Sequence, residues 1–194
     1  LVLFLTLISF TGTSQSTTLY TNDFESSTTG YITSTNPSDP VWKYQWNAHS
    51  SCASTDIWRI GSSGGYGTNS SITGNYASVD YGSSSCVQDI SFATQEFTAT
   101  KSTIDIEFDW AFQQYSGSYL KAVLYNEAGQ VVETLINTTS TGSGKYSGSI
   151  DVTANQKYSV DFRYYGTWDY GAKVDNILIT EMAAGYEEAT IGTG

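Results

Sequence analysis

Three carboxylates stand two apart in the stretch "TIDIEFD": Asp105, Glu107 and Asp109. On an extended strand they share a face, with successive Cα atoms about 6.6 Å apart. Glycoside hydrolysis with retention needs such a pair, one carboxylate as nucleophile and one as acid/base on the same sugar. A wet strand face carrying three acids, or a cation held by them, explains the same spacing. A fourth acid is harder to place. In "KVDNILITE", period-2 alternation puts Asp175 on the face of Ile177 and Ile179. If the isoleucines point inward, a carboxylate goes with them, and a buried carboxylate is costly unless paired. Lys173 shares that face and offers one partner. Calcium offers another, because it takes carboxylate and backbone oxygens in flexible number. Asp23 and Glu25 in "YTNDFES" stand ready on one face of a first strand, with Phe24 between them directed to the core. A cation would then join first strand to last.

The second group of candidates is aromatic. Trp42, Tyr44, Trp46, Tyr66, Trp168 and Tyr170 lie in polar text where burial is not forced. Exposed rings beside Asn, Gln and Asp make a sugar platform: the apolar faces stack while amides and carboxylates take hydroxyls. Tyr and Trp equally anchor protein interfaces. The sequence leaves both open. Nucleophilic catalysis has less to offer: His49 is the single histidine, and no Gly-x-Ser-x-Gly elbow surrounds a serine. "GSSGGYG" lacks the lysine of a phosphate loop and reads as a flexible turn. Sequons stand at Asn69 and Asn137.

The elements that position these residues are short strands. "TIDIEFDWAF" alternates Ile104, Ile106, Phe108, Trp110 and Phe112 with polar residues, a half-buried antiparallel strand that sends Trp110 to the core. "YLKAVLYN" and "VVETLIN" form a hairpin through "NEAGQ". "SGSIDVT" is a short strand. "KYSVDFRYYG" places Tyr158, Val160, Phe162 and Tyr164 on one face and Ser159, Asp161, Arg163 and Tyr165 on the other. "TTLYTNDFES", "YASVDYG" and "DISFATQEFTA" add strands before them, and "AKVDNILITE" closes the set. Residues 31–71 form an irregular, Trp-rich insertion in which Trp58 is assigned to the core. About nine strands and no helical period predict an all-β, two-sheet antiparallel β-sandwich, a jelly roll. Its wet faces are where ligands belong.

Composition agrees. The chain has 194 residues, with 14% charged, 14% aromatic and only two prolines. Nineteen acids against eight bases give a net charge of −11. No basic stripe exists to displace counterions, which disfavours nucleic acid and anionic membrane surfaces, and no nucleic-acid partner is expected. Residues 1–16, led by the apolar run "LVLFLTLISF", read as a secretory signal segment without its charged start, cut between Thr11 and Ser16, so that the mature chain has no membrane span. Residues 17–182 form the module, and 183–194 a linker. In an exported chain, Cys52 and Cys86 are expected to pair as a disulfide.

"NDFESSTTGY", "DIWRIGSS", "YASVDYG", "DISFATQEF" and "FRYYGTWDYGAKVDNILI" occur in an order that resembles extracellular jelly-roll modules. These are the bacterial choice-of-anchor domains, the MAM domains of animal surface proteins and the jelly-roll carbohydrate-binding modules. The resemblance spans residues 19–182. It implies a secreted module of a larger extracellular protein, with a structural calcium at Glu25 and Asp175 and Asp23 assisting. "TIDIEFD" is similar to the catalytic strand of laminarinase-like hydrolases, but Thr103 takes the place of the first acid. Only a shifted register, with Asp105 and Glu107, restores a pair. The expectation is a non-catalytic, secreted, calcium-stabilised module that binds carbohydrate or a cell-surface partner. A MAM-like adhesion domain and a hydrolase are the alternatives.

Overall fold

The computed structural model describes residues 16–27, 29–32, 42–47, 57–80, 87–167 and 169–182, with backbone alone at 30, 31 and 42–47. Of the expected signal segment, residues 1–16, only Ser16 is among the described residues; the expected linker 183–194, His49, Trp168, Cys52 and Cys86 lie outside them. Among the described residues there are thirteen strands: β1 Ser16–Asn22, β2 Gly30–Tyr31, β3 Trp42–Asn47, β4 Arg59–Gly61, β5 Tyr76–Asp80, β6 Val87–Thr94, β7 Phe97–Ala99, β8 Thr103–Gln113, β9 Tyr119–Asn126, β10 Val131–Thr138, β11 Gly142–Asp151, β12 Gln156–Thr167 and β13 Gly171–Met182. Among the described residues no helix is long and apolar enough to cross a membrane.

The strands form two antiparallel sheets, the jelly-roll sandwich that the alternation predicts. Sheet A runs β11-β8-β13-β5-β4-β2, with β1 also beside β13; sheet B runs β10-β9-β12-β6-β3, with β7 beside β12. The period-2 pattern is realised most cleanly in β8 and β12. Ile104, Ile106, Phe108 and Phe112 from the first meet Tyr158, Val160, Phe162 and Tyr164 from the second, all within the core. Phe92 of β6 sits among rings: it stacks on Phe162 at 5.1 Å and meets Trp58 and Phe24 edge-on at 4.9 and 6.3 Å. Trp58 is fully buried, as expected, and its indole N–H reaches the Ile90 carbonyl at 3.4 Å. Each such ring removes a large apolar area from water and adds edge or stacking contacts to it.

Three expectations need correcting. First, β1 ends at Asn22, and residues 23–27 form a turn. Phe24 does enter the core, but through a left-handed backbone (φ 58°), so Asp23 and Glu25 are turn residues and not one face of a strand. Second, Asp175 does not share a face with Ile177 and Ile179. The pairing of β13 with β8 shifts between Asp175 and Leu178, where Asn176 adopts φ 52°. This bulge adds one residue and switches the alternation. Ala172 and Val174 before it, and Ile177 and Ile179 after it, therefore all face the core. Third, Trp110 is only half-buried. Its neighbour β11 is an edge strand, and the indole lies across Gly142 and Gly144 there; a Cβ on Gly142 would come within 3.2 Å of Cη2. β11 itself is ten residues long, beyond the short strand read from "SGSIDVT".

The ring cluster makes Phe92 the most consequential single side chain of the core. Phe92→Ala should cost roughly 3–5 kcal/mol, read as a lower denaturant midpoint with an unchanged slope.

Candidate functional site

The two outer faces of the sandwich differ. On sheet A, the glycine-rich segment 61–75 lies across the strands. A Cβ at Gly67 (φ +87°) would sit 3.1 Å from Ala111 Cβ and from the Phe112 nitrogen, so only glycine permits this approach. Asn69 clamps the segment, donating through Nδ2 to the Trp110 and Gly144 carbonyls at 3.1 and 3.0 Å. Its amide is thus engaged in the fold. Gly65 donates its N–H to Asp80 at 2.5 Å, and Asp80 pairs with Arg59.

Beneath this segment lies Asp175, 1% exposed, with Asp109 of β8 as its cross-strand partner, 6% exposed. Asn176 ties the pair down. Its backbone N–H donates to Asp175 Oδ1 at 2.8 Å, and its side-chain amide donates to Asp109 Oδ2 at 2.9 Å and to the Ser71 carbonyl at 3.0 Å. Burial pushes the Asp175 carboxyl up to about 7; backbone N–H groups of Asn176 and Thr73 oppose this, while Asp109 and Glu25 add to it. Glu25 reaches the same place from the β1 turn: it accepts the Asn75 N–H at 3.2 Å and lies against Gly74. Lys173 makes no ion pair with Asp175 among the described residues; its ammonium lies 5.3 Å from the centroid of Tyr76. Asp23 accepts the Glu25 N–H at 3.2 Å, within its own turn. Among the described residues no group of three or more His, Cys, Asp or Glu side chains is placed to hold a metal ion. Glu25 and Asp175 are near enough to repel; Asp23 does not complete a triad with them.

Asp105 and Glu107 lie farther along the same face. Ser149 donates its hydroxyl to Asp105, and Ser147 donates to Glu107 at 3.0 Å. Lys145 pairs with Glu107 at 2.5 Å and, with Ser147, holds that carboxyl below its ordinary range. An acid/base catalyst needs the opposite shift.

The predicted aromatic residues are only partly gathered. Tyr66 and Tyr170 meet at 5.1 Å, and Tyr115, which sequence reading missed, joins Tyr170 edge-on at 5.8 Å. Asp169 fixes this cluster from below by accepting the N–H groups of Tyr115, Ser116 and Tyr170. Trp42, Tyr44 and Trp46 belong to β3 at the edge of sheet B, where Trp46 pairs with Ser91.

The outer face of sheet B holds a cleft of about 370 Å³. Its floor comes from β6, β12 and β9, in rows set by the register: Ser91–Arg163–Lys121, then Ala93–Asp161–Val123, then Ser159–Tyr125. Arg163 grips Asp89 with two hydrogen bonds of 2.5 Å. One row beyond, Tyr119 and Tyr165 stack at 5.2 Å with 9° between their planes. Burial pushes the Tyr125 hydroxyl up, and Asp161 adds to the shift. Ser159, Asp161, Arg163 and Tyr165 are the wet face visible in "KYSVDFRYYG"; Ser91, Lys121 and Tyr125 became neighbours only through the register.

No protein-family model matches the chain, and no curated protein matches it. Solved structures do. The K3 cleaved adhesin domain of Lys-gingipain from Porphyromonas gingivalis W83 aligns with a TM-score of 0.55 and 19% identity over 86% of this chain and 99% of that one. The K2 domain of Lys-gingipain aligns at 0.54 and 19%, covering 86% and 98%. The K1 domain from the same organism aligns at 0.52 and 16%, covering 87% and 98%. At these identities the likeness is one of fold: the chain has the sandwich of these adhesin domains over nearly their full length.

Proposed function

We propose that the chain is a secreted, non-catalytic binding module that holds polysaccharide in the cleft on sheet B. One observation carries the reading: the cleft joins polar side chains of three strands, among them Ser159, Arg163 and Lys121, to the ring of Tyr125. Its volume of about 370 Å³ falls in the range of small-ligand sites. A pyranose offers the complement, with apolar C–H faces for a ring and hydroxyls for Ser159 and Lys121. Catalysis at Asp105 and Glu107 has no support of this kind, since Lys145 neutralises the carboxylate that would have to carry a proton. Protein adhesion is a second reading, favoured by the likeness to adhesin domains and by the Tyr66–Tyr170–Tyr115 cluster, in which Tyr115 is exposed.

Calcium belongs to this proposal at Glu25 and Asp175. Both carboxylates approach from different ends of the chain, and each is an oxygen donor of the hard type calcium prefers. A cation there would offset the burial, and the smaller repulsion from Asp109 and Glu25, that together raise the Asp175 carboxyl to about 7. The proton and the cation are alternative ways to neutralise the same site, and they predict different behaviour.

Titration calorimetry with soluble plant and microbial polysaccharides should find a binder, and Tyr125→Ala should weaken it about two- to ten-fold, the worth of one ring contact beyond its area. Binding to none of them, together with capture of a defined cell-surface protein that mutation of Tyr66 and Tyr170 abolishes, would move the reading to adhesion.

The calcium arm is read by melting. With bound calcium, chelator should lower the melting temperature at pH 8, by the equivalent of about 2.7 kcal/mol at 100-fold excess over the dissociation constant, and Asp175→Asn should remove the difference. No chelator effect would leave the proton as the neutralising group.

That case has its own signature. Asp175 has an ordinary value of 3.8 and is raised to about 7 when folded, so the native state holds the extra proton in between. Stability present below about pH 4 is then lost as the pH rises to about 7. In chelator, Asp175→Asn should flatten that decline in a pH series of denaturant midpoints.

A further inference from the structure

The fold treats the two sequons, at Asn69 and Asn137, differently. Asn69 belongs to the segment over sheet A. Its side-chain nitrogen donates to the Trp110 and Gly144 carbonyls, and its Oδ1 accepts the Ser71 N–H at 3.0 Å. A sugar on that nitrogen would replace one of its two hydrogens and push the segment off the sheet. The folded domain leaves no place for it.

Asn137 is the opposite case. It is exposed near the end of β10, and no side-chain hydrogen bond holds it among the described residues. Thr139, the hydroxyl residue of its sequon, is exposed just beyond the strand. Ile136 pairs with Ala122 and packs against the core, so Asn137, paired with Lys121, points the other way. Its side chain leaves the outer face of sheet B beside Lys121, which lines the cleft.

The strand that carries Asn137 has an open edge. Among the described residues β10 pairs with β9 alone. Its other side offers backbone donors and acceptors along "VVETLINT", a stretch rich in β-branched residues and a template for a foreign strand. Register shifts between Val131 and Glu133 and between Thr134 and Ile136 disrupt the first part of that edge, as bulges do in natural edge strands. Ile136, Asn137 and Thr138 continue in regular pairing beyond them. Asn137 is the middle residue of the stretch that the bulges leave unprotected.

We propose that Asn137 is an N-glycosylation site, that its oligosaccharide shields the open edge of β10, and that Asn69 stays unmodified in the folded protein. The proposal rests on the chain being exported. The Asn137 amide nitrogen forms a bond to the anomeric carbon of a lipid-diphosphate-linked oligosaccharide. The bond from that carbon to the diphosphate oxygen breaks, the lipid diphosphate leaves with the electron pair, and the nitrogen gives up one proton. An oligosaccharyltransferase of the export compartment catalyses the step and reads the Thr139 hydroxyl. A bulky, hydrated glycan suits a surface position and bars a second strand from pairing beside it.

The test expresses the chain behind a host leader in a eukaryotic secretory cell, which supplies export, transferase and donor. Peptide mass mapping after release with a peptide:N-glycosidase reads each sequon separately, because release turns a modified Asn into Asp. Secreted protein that melts cooperatively should carry glycan at Asn137 and none at Asn69. Asn137→Gln and Thr139→Ala should each abolish the modification while melting stays cooperative. An unmodified Asn137, or a glycan on Asn69 in protein that still melts cooperatively, would overturn the assignment. The leader provides export, so such a result leaves the secreted reading standing. Light scattering reads the edge: Asn137→Gln should associate at lower protein concentration than the glycosylated chain. Equal association would keep the site and overturn the shielding.

Discussion

One extra residue in β13 decides how sheet A is built. The strand is paired on both edges, with β8 along one side and β5 then β1 along the other. Its side chains must present a core face over its whole length, yet Val174 and Ile177 are three apart. A regular strand would send one of them to water. The left-handed turn of backbone at Asn176 absorbs the odd residue and returns Ile177 and Ile179 to the face of Val174. Asparagine tolerates that conformation better than most residues. Its side chain then uses the exposed position to bind Asp109 and the Ser71 carbonyl. The bulge therefore fixes the core, buries the Asp175–Asp109 pair and anchors the segment that covers sheet A.

That covering divides the work between the faces. Sheet A carries packed glycines, an ion pair at Arg59 and Asp80, and a neutralised Glu107. Its chemistry is spent on holding the fold. Sheet B carries the cleft over its central three strands, with polar side chains brought into register there. Both sheets rest on the same ring cluster around Phe92 and Phe162, so the floor of the cleft backs directly onto that part of the core. Rigid strands place binding groups more closely than loops do.

Period-2 alternation made β8 and β12 legible, and with them the two-sheet fold and the wet face containing Asp161 and Arg163. It failed where backbone departs from the period. The spacing of Val174 and Ile177 across an Asp-Asn pair was the available sign of the bulge, and reading Asp175 as inward-facing overlooked it. β11 was only partly visible because Gly142, Gly144 and Gly148 have no strand preference; pairing with β8 creates that strand. Polar surroundings single out Tyr66 and Tyr170, whose rings meet in the structure, and pass over Tyr115, Tyr119 and Tyr125. Those sit in or beside strands, and only the register shows which face they share. Calcium ligation was inferred from acids at the two chain ends, and the structure brings Glu25 toward Asp175 while Asp23 closes its own turn.

Ligand is proposed to enter the cleft on sheet B. Backbone amide shifts, followed while a soluble oligosaccharide is titrated in, locate it. Perturbed amides should cluster on β6, β9 and β12 around Ser91, Lys121, Tyr125 and Asp161. Perturbations confined to residues 61–75, Tyr115 and Tyr170, with those strands unmoved, would contradict it.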